Sequence, residues 1–239
     1  MRRILIGAAT AAVAATTLFA PAAQAATTAA QSLSFDPFHH YNINGYNWGG
    51  YAATGSGFTS VSATWTEPSA TCSSTNDLYA PWVGLDGYGT STVEQTGVAT
   101  DCSSGSPVDE PWYEKYPANP VYLHTSSYPV SAGNSITASV TYAGSSKYTL
   151  KLTNNSRGWT YTTTKTLSGA SRASAEVIIE SPTGAYPNFG TLNFTSATIN
   201  GSSLGSFSPV ALDPSNGVTE AHTSAISGGT AFSDTYLHQ

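Results

Sequence analysis

Short stretches in which apolar and polar residues alternate recur after residue 47, and each of them predicts a β-strand. Between 135 and 142, Ile136, Ala138 and Val140 alternate with serine and threonine, which is typical of a half-buried antiparallel strand. Comparable runs predict strands at 61–65, 80–85, 91–98, 148–152, 159–167, 173–180 and 191–199. Turn residues such as Asn200-Gly201 separate the runs, and none keeps a helical period for ten residues. The pattern predicts an all-β fold, a β-sandwich of two antiparallel sheets.

The predicted strand at 173–180 carries two glutamates in an apolar segment, in a chain where only 9% of the residues are charged. Alternation places Ala175, Val177 and Ile179 on one face, and Glu176 and Glu180 on the other. The two carboxylates would lie roughly 13 Å apart, because a strand rises about 3.3 Å per residue. A carboxylate in this setting loses hydration, so it must be neutralised, hydrogen-bonded or used in chemistry. Alternation alone makes both glutamates candidates for a chemical role.

The chain begins with the features of a secretion signal. Arg2 and Arg3 precede an apolar run, and a small-residue cleavage pattern ends at Ala25. The sequence therefore predicts a signal peptide at 1–25, a flexible leader or short pro-segment at 26–46, and a single β-sandwich domain at 47–239. No later stretch is long and apolar enough to span a bilayer. We expect a secreted, extracellular protein without a membrane partner.

The formal net charge of −6, with no basic cluster, argues against a nucleic-acid partner. The histidines are scattered and show no zinc-binding spacing, and no nucleotide-binding fingerprint is present. We therefore expect neither a metal nor a cofactor, and a monomer is the default for a secreted protein of this size. Cys72 and Cys102 are the two cysteines, and an oxidising compartment favours a disulfide between them over a metal site.

Two further segments combine aromatic residues and acids on one strand face. Trp82 and Asp86 share a face in the first, and Trp112, Glu114 and Tyr116 share a face in the second. Such faces suit a groove that holds an extended polymer, either peptide or sugar. Packing between strands is an equally good explanation for each segment taken singly, because Trp and Tyr are common in sheets.

Taken together, five segments resemble the glutamic peptidases called eqolisins, peptidase family G1, and they occur in the order seen there. They are Asn47-Trp48-Gly49-Gly50-Tyr51, Trp82-Val83-Gly84-Leu85-Asp86-Gly87, Glu94-Gln95-Thr96-Gly97, Trp112-Tyr113-Glu114 and Ala175-Glu176-Val177-Ile178-Ile179-Glu180. The resemblance covers essentially all of the predicted domain. It implies a sandwich of the concanavalin or glucanase-like kind, curved so that one sheet forms a concave substrate groove.

The resemblance also implies a secreted acid endopeptidase with polypeptide substrates. By position, the family's catalytic glutamine falls on Gln95 and its catalytic glutamate falls on Glu180. Glu180 would act as the general base on a water molecule, and the Gln95 amide would donate to the oxyanion. With a reference pKa near 4.3, an unperturbed glutamate can stay ionised in mild acid. No metal is needed in this scheme.

Trp82, Asp86, Trp112, Glu114 and Tyr116 match positions around the family's dyad, so we expect them in the groove. Glu110 is a further groove candidate, and it stands where the family usually has aspartate. Two alternatives remain open on the sequence. One is a glycoside hydrolase that pairs Glu94 or Glu114 with Glu180, since that chemistry needs two carboxyls about 5 to 9.5 Å apart. The other is a non-catalytic carbohydrate-binding module.

Overall fold

A computed structural model describes residues 42–238, which form two β-sheets packed face to face. The strands in chain order are β1 (Ile43–Asn44), β2 (Trp48–Thr54), β3 (Ser60–Thr66), β4 (Leu78–Leu85), β5 (Val93–Asp101), β6 (Val108–Tyr116), β7 (Val121–Tyr122), β8 (Ser135–Gly144), β9 (Lys147–Asn154), β10 (Trp159–Thr166), β11 (Ser174–Glu180), β12 (Thr191–Ile199), β13 (Ser202–Ser203), β14 (Val210–Asp213), β15 (Ala221–Thr223) and β16 (Phe232–Tyr236). A single 3₁₀ turn, Leu204–Phe207, is the helical segment within this range. The predicted all-β sandwich is confirmed.

The first sheet has the order β1-β14-β2-β11-β4-β5-β6-β7, and the second has the order β10-β9-β8-β3-β12-β16-β15. Apart from the parallel pair of β1 with β14, every pairing between these strands is antiparallel. The predicted signal peptide lies outside the described residues, as does the leader up to residue 41. The last leader residues belong to the fold, because β1 pairs with β14.

The strand β11 lies at the centre of the first sheet, between β2 and β4, and all seven of its residues are buried. Val177 and Ile179 pack into the main core between the two sheets. Ile178 packs on the opposite face, in a second cluster made only of residues from the first sheet, among them Trp48, Trp82 and Trp112. The alternation expected for 173–180 is confirmed, and the polar face of β11 is buried as well.

The predicted disulfide between Cys72 and Cys102 is present, with the two Cα atoms 5.7 Å apart. Cys102 directly follows β5, and its N–H donates to Asp77 O. The bridge therefore ties the segment before β4 to the end of β5. Residues 42–238 include no helix with the length and apolarity needed to cross a bilayer.

Candidate active site

A cavity of about 370 Å³ opens on the face of the first sheet that is turned away from the second sheet. Strands β4, β5, β6 and β11 form its floor and walls, and the segments 117–120 and 182–183 border it. The polar and aromatic side chains that line the cavity are Gln95, Trp112, Glu114, Tyr116, Tyr122 and Glu180. Gln95 and Glu180, the two members of the dyad that the resemblance implies, thus lie at the surface of one cavity.

The carboxylate of Glu180 is held by two donors from distant parts of the chain. Asn47 Nδ2 donates to Oε1 at 3.0 Å, and Trp82 Nε1 donates to Oε2 at 3.1 Å. Trp82 itself is fully buried, and its ring meets that of Trp48 edge to face, with ring centroids 5.1 Å apart. Because each oxygen has its own donor, the side chain has one preferred orientation.

Burial dominates the ionisation of Glu180 and raises its pKa to about 7. The N–H groups of Trp48, Trp82 and Asn47 oppose this rise because they favour the ionised form. Trp48 Nε1 is buried and has no other hydrogen-bond partner among residues 42–238. In the free site the neutral form of Glu180 is therefore favoured over a wider pH range than for an unperturbed glutamate.

Gln95 lies opposite Glu114 on the neighbouring strand, and the two side chains are hydrogen-bonded. Gln95 Nε2 donates to Glu114 Oε2 at 2.5 Å. Burial raises the pKa of Glu114 to about 7; the Gln95 hydrogen bond lowers it, and the charge of Glu180 raises it. The electrostatic effect of Glu180 on Glu114 indicates that the two carboxyls lie close enough to influence each other.

Two glycines allow Trp82 to fit beneath this site. A Cβ added to Gly97 would lie 2.1 Å from Pro81 O and 2.8 Å from Trp82 Cβ. A Cβ added to Gly84 would lie 2.7 Å from Trp82 Cζ3. Any side chain at either position would displace the indole that donates to Glu180. The glycines of the two motifs are thus explained by close packing around Trp82.

A family model described as "Peptidase A4 family" matches residues 46–235. The chain belongs to this family. The match confirms the resemblance to the eqolisins, whose family includes SCP-B, a similar protein with a solved structure in complex with the tripeptide Ala-Ile-His. That structure has a TM-score of 0.64 at 25% identity and covers 80% of this chain and 98% of its own.

Among characterised relatives, scytalidopepsin B of Scytalidium lignicola is 35% identical over 161 residues, which span 63% of this chain and 59% of the relative. Aspergillopepsin-2 of Aspergillus niger is 28% identical over 198 residues, which span 70% of this chain and 69% of that protein. A structure of scytalido-glutamic peptidase with a transition state analog inhibitor has a TM-score of 0.69 at 26% identity, covering 80% of this chain and 98% of its own. The match to scytalidopepsin B therefore spans less than two thirds of that relative's length.

The structure places the predicted residues of this peptidase A4 member in two groups. Gln95, Trp112, Glu114, Tyr116 and Glu180 line the cavity, and Trp82 supports it from below. Asp86 and Glu110 do not line it.

The expectation that Asp86 belongs to the groove is not met. Asp86 is fully buried and accepts hydrogen bonds at 2.8 Å from Ser171 Oγ, Arg172 N and Ala173 N. Its carboxylate therefore fixes the turn that leads into β11. Asp86 follows the end of β4 with a φ of 62°, so the alternation of the strand no longer determines its direction.

Glu110 is half-buried on the same strand face as Trp112 and Glu114 but lies beyond the cavity. Burial and the neighbouring Asp101 raise its pKa. Glu110 also acts electrostatically on Tyr122, which lines the cavity. Its place is therefore at the margin of the site.

The other glutamates named by the sequence have different surroundings. Glu176 is fully buried, and its Oε1 accepts a hydrogen bond from Tyr88 N at 3.2 Å in the loop after β4. Glu94 alternates with Gln95 on β5 and acts electrostatically on Tyr148 of the second sheet. Glu94 therefore faces the interior of the sandwich and cannot pair with Glu180 across a substrate. Of the carboxyl pairs considered for a glycoside hydrolase, only Glu114 with Glu180 remains.

The sequence-based site omitted Asn47 and Trp48, both of which influence the ionisation of Glu180. They occur in the first of the motifs that resemble the eqolisins, so a signal was present. No local pattern could assign their role, because Asn47 and Glu180 are 133 residues apart in the chain.

Proposed function

We propose that this protein is an endopeptidase that hydrolyses polypeptides by direct attack of water, with Glu180 as general base and Gln95 as oxyanion donor. The supporting observation is that Gln95 and Glu180 line one cavity, in a chain whose family includes structures in complex with peptide-based ligands. The disulfide and the N-terminal signal pattern support export to an oxidising compartment. We expect a secreted monomer.

In the proposed reaction the ionised Glu180 accepts a proton from a water molecule whose oxygen attacks the scissile carbonyl carbon. The carbonyl π electrons move to oxygen, and this oxyanion accepts a hydrogen bond from Gln95. When the C–N bond breaks, Glu180 returns the proton to the leaving amine. The products are a carboxylic acid and an amine, and Glu180 is ionised again. General base catalysis of this kind contributes about 10²- to 10⁴-fold in rate.

The hydrogen bonds of Glu180 and Gln95 support these roles. Asn47 donates to one lone pair of Oε1 of Glu180 and Trp82 donates to one lone pair of Oε2, which leaves further lone pairs free to accept from water. Gln95 Nε2 carries two N–H groups, and Glu114 accepts only one of them. The second N–H is available to a substrate oxygen in the cavity. The apolar lining from Ala80, Ala99 and Trp112 excludes water from bound substrate and strengthens these interactions.

Substitution of Glu180 by glutamine tests the base. We expect Glu180→Gln to abolish cleavage of denatured casein between pH 3 and 7, because an amide cannot accept the proton. Glu176→Gln is the matched control, since Glu176 lies on the same strand and face and is buried but does not line the cavity. It should retain most of the activity. Activity retained in Glu180→Gln would contradict the assignment.

Gln95→Ala tests the oxyanion donor, and we expect a loss of about 10²- to 10³-fold in kcat. A change confined to KM would mean that Gln95 binds substrate without stabilising the oxyanion. The wild-type digestion should be insensitive to pepstatin, which separates it from cleavage by a contaminating aspartic peptidase. Hydrolysis of glucan or xylan without proteolysis would favour the glycoside hydrolase alternative.

A further inference from the structure

The contact between Gln95 and Glu114 assigns a role to a residue outside the dyad. We propose that Glu114 is a positioning residue, whose carboxyl group accepts one N–H of the Gln95 amide and so directs the second N–H into the cavity. The inference rests on the proposed function, because it assumes that Gln95 donates to the oxyanion. It adds a third residue, which acts through Gln95.

The side-chain amide of glutamine has two nearly isosteric orientations related by a half-turn about its terminal torsion. One presents N–H donors where the other presents a carbonyl oxygen. Only the first orientation stabilises an oxyanion, since a carbonyl oxygen in the same place would repel it. A hydrogen-bonding neighbour is therefore needed to select the orientation.

Glu114 is the neighbour that meets this need. Gln95 and Glu114 are directly opposed across β5 and β6, and the Gln95 side chain is buried at 3% exposure. The Nε2 to Oε2 distance is 2.5 Å, whereas Gln95 Oε1 is buried without a hydrogen-bond partner among residues 42–238. Within the described structure, the Glu114 contact is thus the hydrogen bond that distinguishes the two ends of the amide.

The ionisation state of Glu114 affects how firmly it selects the orientation of the Gln95 amide. An ionised carboxylate only accepts hydrogen bonds, so it repels the amide carbonyl and attracts the N–H. A neutral carboxyl accepts the same N–H through its carbonyl oxygen, but its O–H can also donate to the amide carbonyl of the other orientation. Glu114 therefore selects the orientation of Gln95 most firmly when it is ionised, and its neutral form still accepts the N–H in the contact that the structure shows.

A double-mutant cycle separates positioning from direct catalysis or substrate binding by Glu114. Kinetics would be measured on a fluorogenic peptide at pH 5 for Glu114→Ala, Gln95→Ala and the double variant. We expect Glu114→Ala to lower kcat about 10- to 100-fold, below the full cost of losing the donor, with KM nearly unchanged. In the Gln95→Ala background the same substitution should change kcat by no more than about twofold. Lys115→Gln, on the same strand but with its side chain on the other face, is the control and should match the wild type.

A loss of the same size in both backgrounds would overturn the proposal, because Glu114 would then act independently of Gln95. An effect of Glu114→Ala on KM alone would also overturn it. If Gln95→Ala keeps the wild-type kcat, the proposed oxyanion role itself is wrong, so the two failures are distinguishable. Glu114→Gln should recover part of the lost activity, since its carbonyl oxygen can accept the same N–H.

A spectroscopic measurement provides a test that does not depend on turnover. The Gln95 side-chain amide signals would be recorded by ¹H–¹⁵N correlation in a Glu180→Gln protein and assigned by their loss in Gln95→Ala. One amide proton should be shifted downfield by the short hydrogen bond, and this shift should disappear in Glu114→Ala. An unchanged pair of signals in Glu114→Ala would show that the contact does not orient the amide.

Discussion

Replacement of Glu94 by glutamine should stabilise the protein near neutral pH and leave its stability in acid almost unchanged. Glu94 is 1% exposed, and neither of its carboxylate oxygens has a hydrogen-bond partner among residues 42–238. Burial, with a further contribution from the charge of Asp86, raises its pKa to about 8. Glutamine has nearly the same shape but cannot ionise, so the substitution removes the charge and keeps the volume.

The sign and size of this change in stability follow from the difference between the pKa of Glu94 in the folded protein and its pKa in the unfolded chain. Below the unfolded value, about 4.5, Glu94 is protonated in both states and contributes no pH dependence. As the pH rises toward 8, the unfolded chain ionises while the folded protein holds the proton, so the free energy of unfolding falls by about 1.4 kcal/mol per pH unit. At pH 7 the free energy of unfolding is about 3 kcal/mol lower for this reason. A typical protein has a total free energy of unfolding of about 5 to 15 kcal/mol, so this is a large share.

Urea unfolding at pH 4 and pH 7 would measure the effect, in a Glu180→Gln background that prevents autolysis. Glu94→Gln should raise the free energy of unfolding by about 2 to 4 kcal/mol at pH 7 and by little at pH 4. Asp101→Asn is a suitable control, because Asp101 lies at the end of the same strand and its carboxylate accepts a hydrogen bond from Ser103 N. Equal changes at both pH values for Glu94→Gln would refute the reasoning.

Three other consequences can be checked. If ionised Glu180 is the base, kcat/KM should rise about tenfold per pH unit between pH 4 and 6, and a flat pH profile would contradict its pKa of about 7. Asn47→Ala removes a donor to the ionised form, so this rise in kcat/KM should move to higher pH. Loss of the disulfide in Cys102→Ser should lower the free energy of unfolding by about 3 to 4 kcal/mol, as measured by denaturant titration. Gly97→Ala should reduce both the melting temperature and kcat, because the added Cβ would lie 2.1 Å from Pro81 O and push against Trp82. If both the melting temperature and kcat kept their wild-type values, this close packing would not be required.

The strands that the sequence predicted are those with clear alternation and a long hydrophobic face. Strand β12 matches the predicted 191–199, and β11 differs from the predicted 173–180 by one residue. Strand β2 (Trp48–Thr54) was missed because its glycines and alanines do not alternate with polar residues. Its extended conformation depends on pairing with β11 and β14, which are distant in sequence. The short strands β14, β15 and β16 were missed because three to five residues are too few to show a clear alternation.

The candidate site was likewise predicted only in part, because strand alternation is visible in the local sequence whereas contacts between residues far apart in the chain are not. Alternation correctly put Glu176 and Glu180 on one face of β11, but it could not distinguish them. In the structure the difference lies in their neighbours: Asn47 and Trp82 donate to Glu180, whereas Glu176 accepts a hydrogen bond from the loop after β4. Gln95 has no recognisable local signal, and only the ordered resemblance to the eqolisins selected it. Asp86 was misplaced because a positive φ ends the alternation one residue after β4.

The active pH range should be limited by the ionisation of Glu180 in the cavity and by the opposing effect of ionising carboxyl groups elsewhere in the fold. A higher pH ionises Glu180 and favours the proposed reaction, whereas it destabilises the fold through Glu94 and through Glu67 and Asp234, whose pKa values burial also raises to about 8. Because Glu94 faces the second sheet, away from the cavity, Glu94→Gln should extend activity to higher pH. It should not move the rise of kcat/KM between pH 4 and 6. If this rise moved in the Glu94→Gln variant, the charge of Glu94 would have to affect the ionisation of Glu180, which the structure does not support. An unchanged upper limit would mean that stability does not set it, and deprotonation within the cavity would then be the remaining cause.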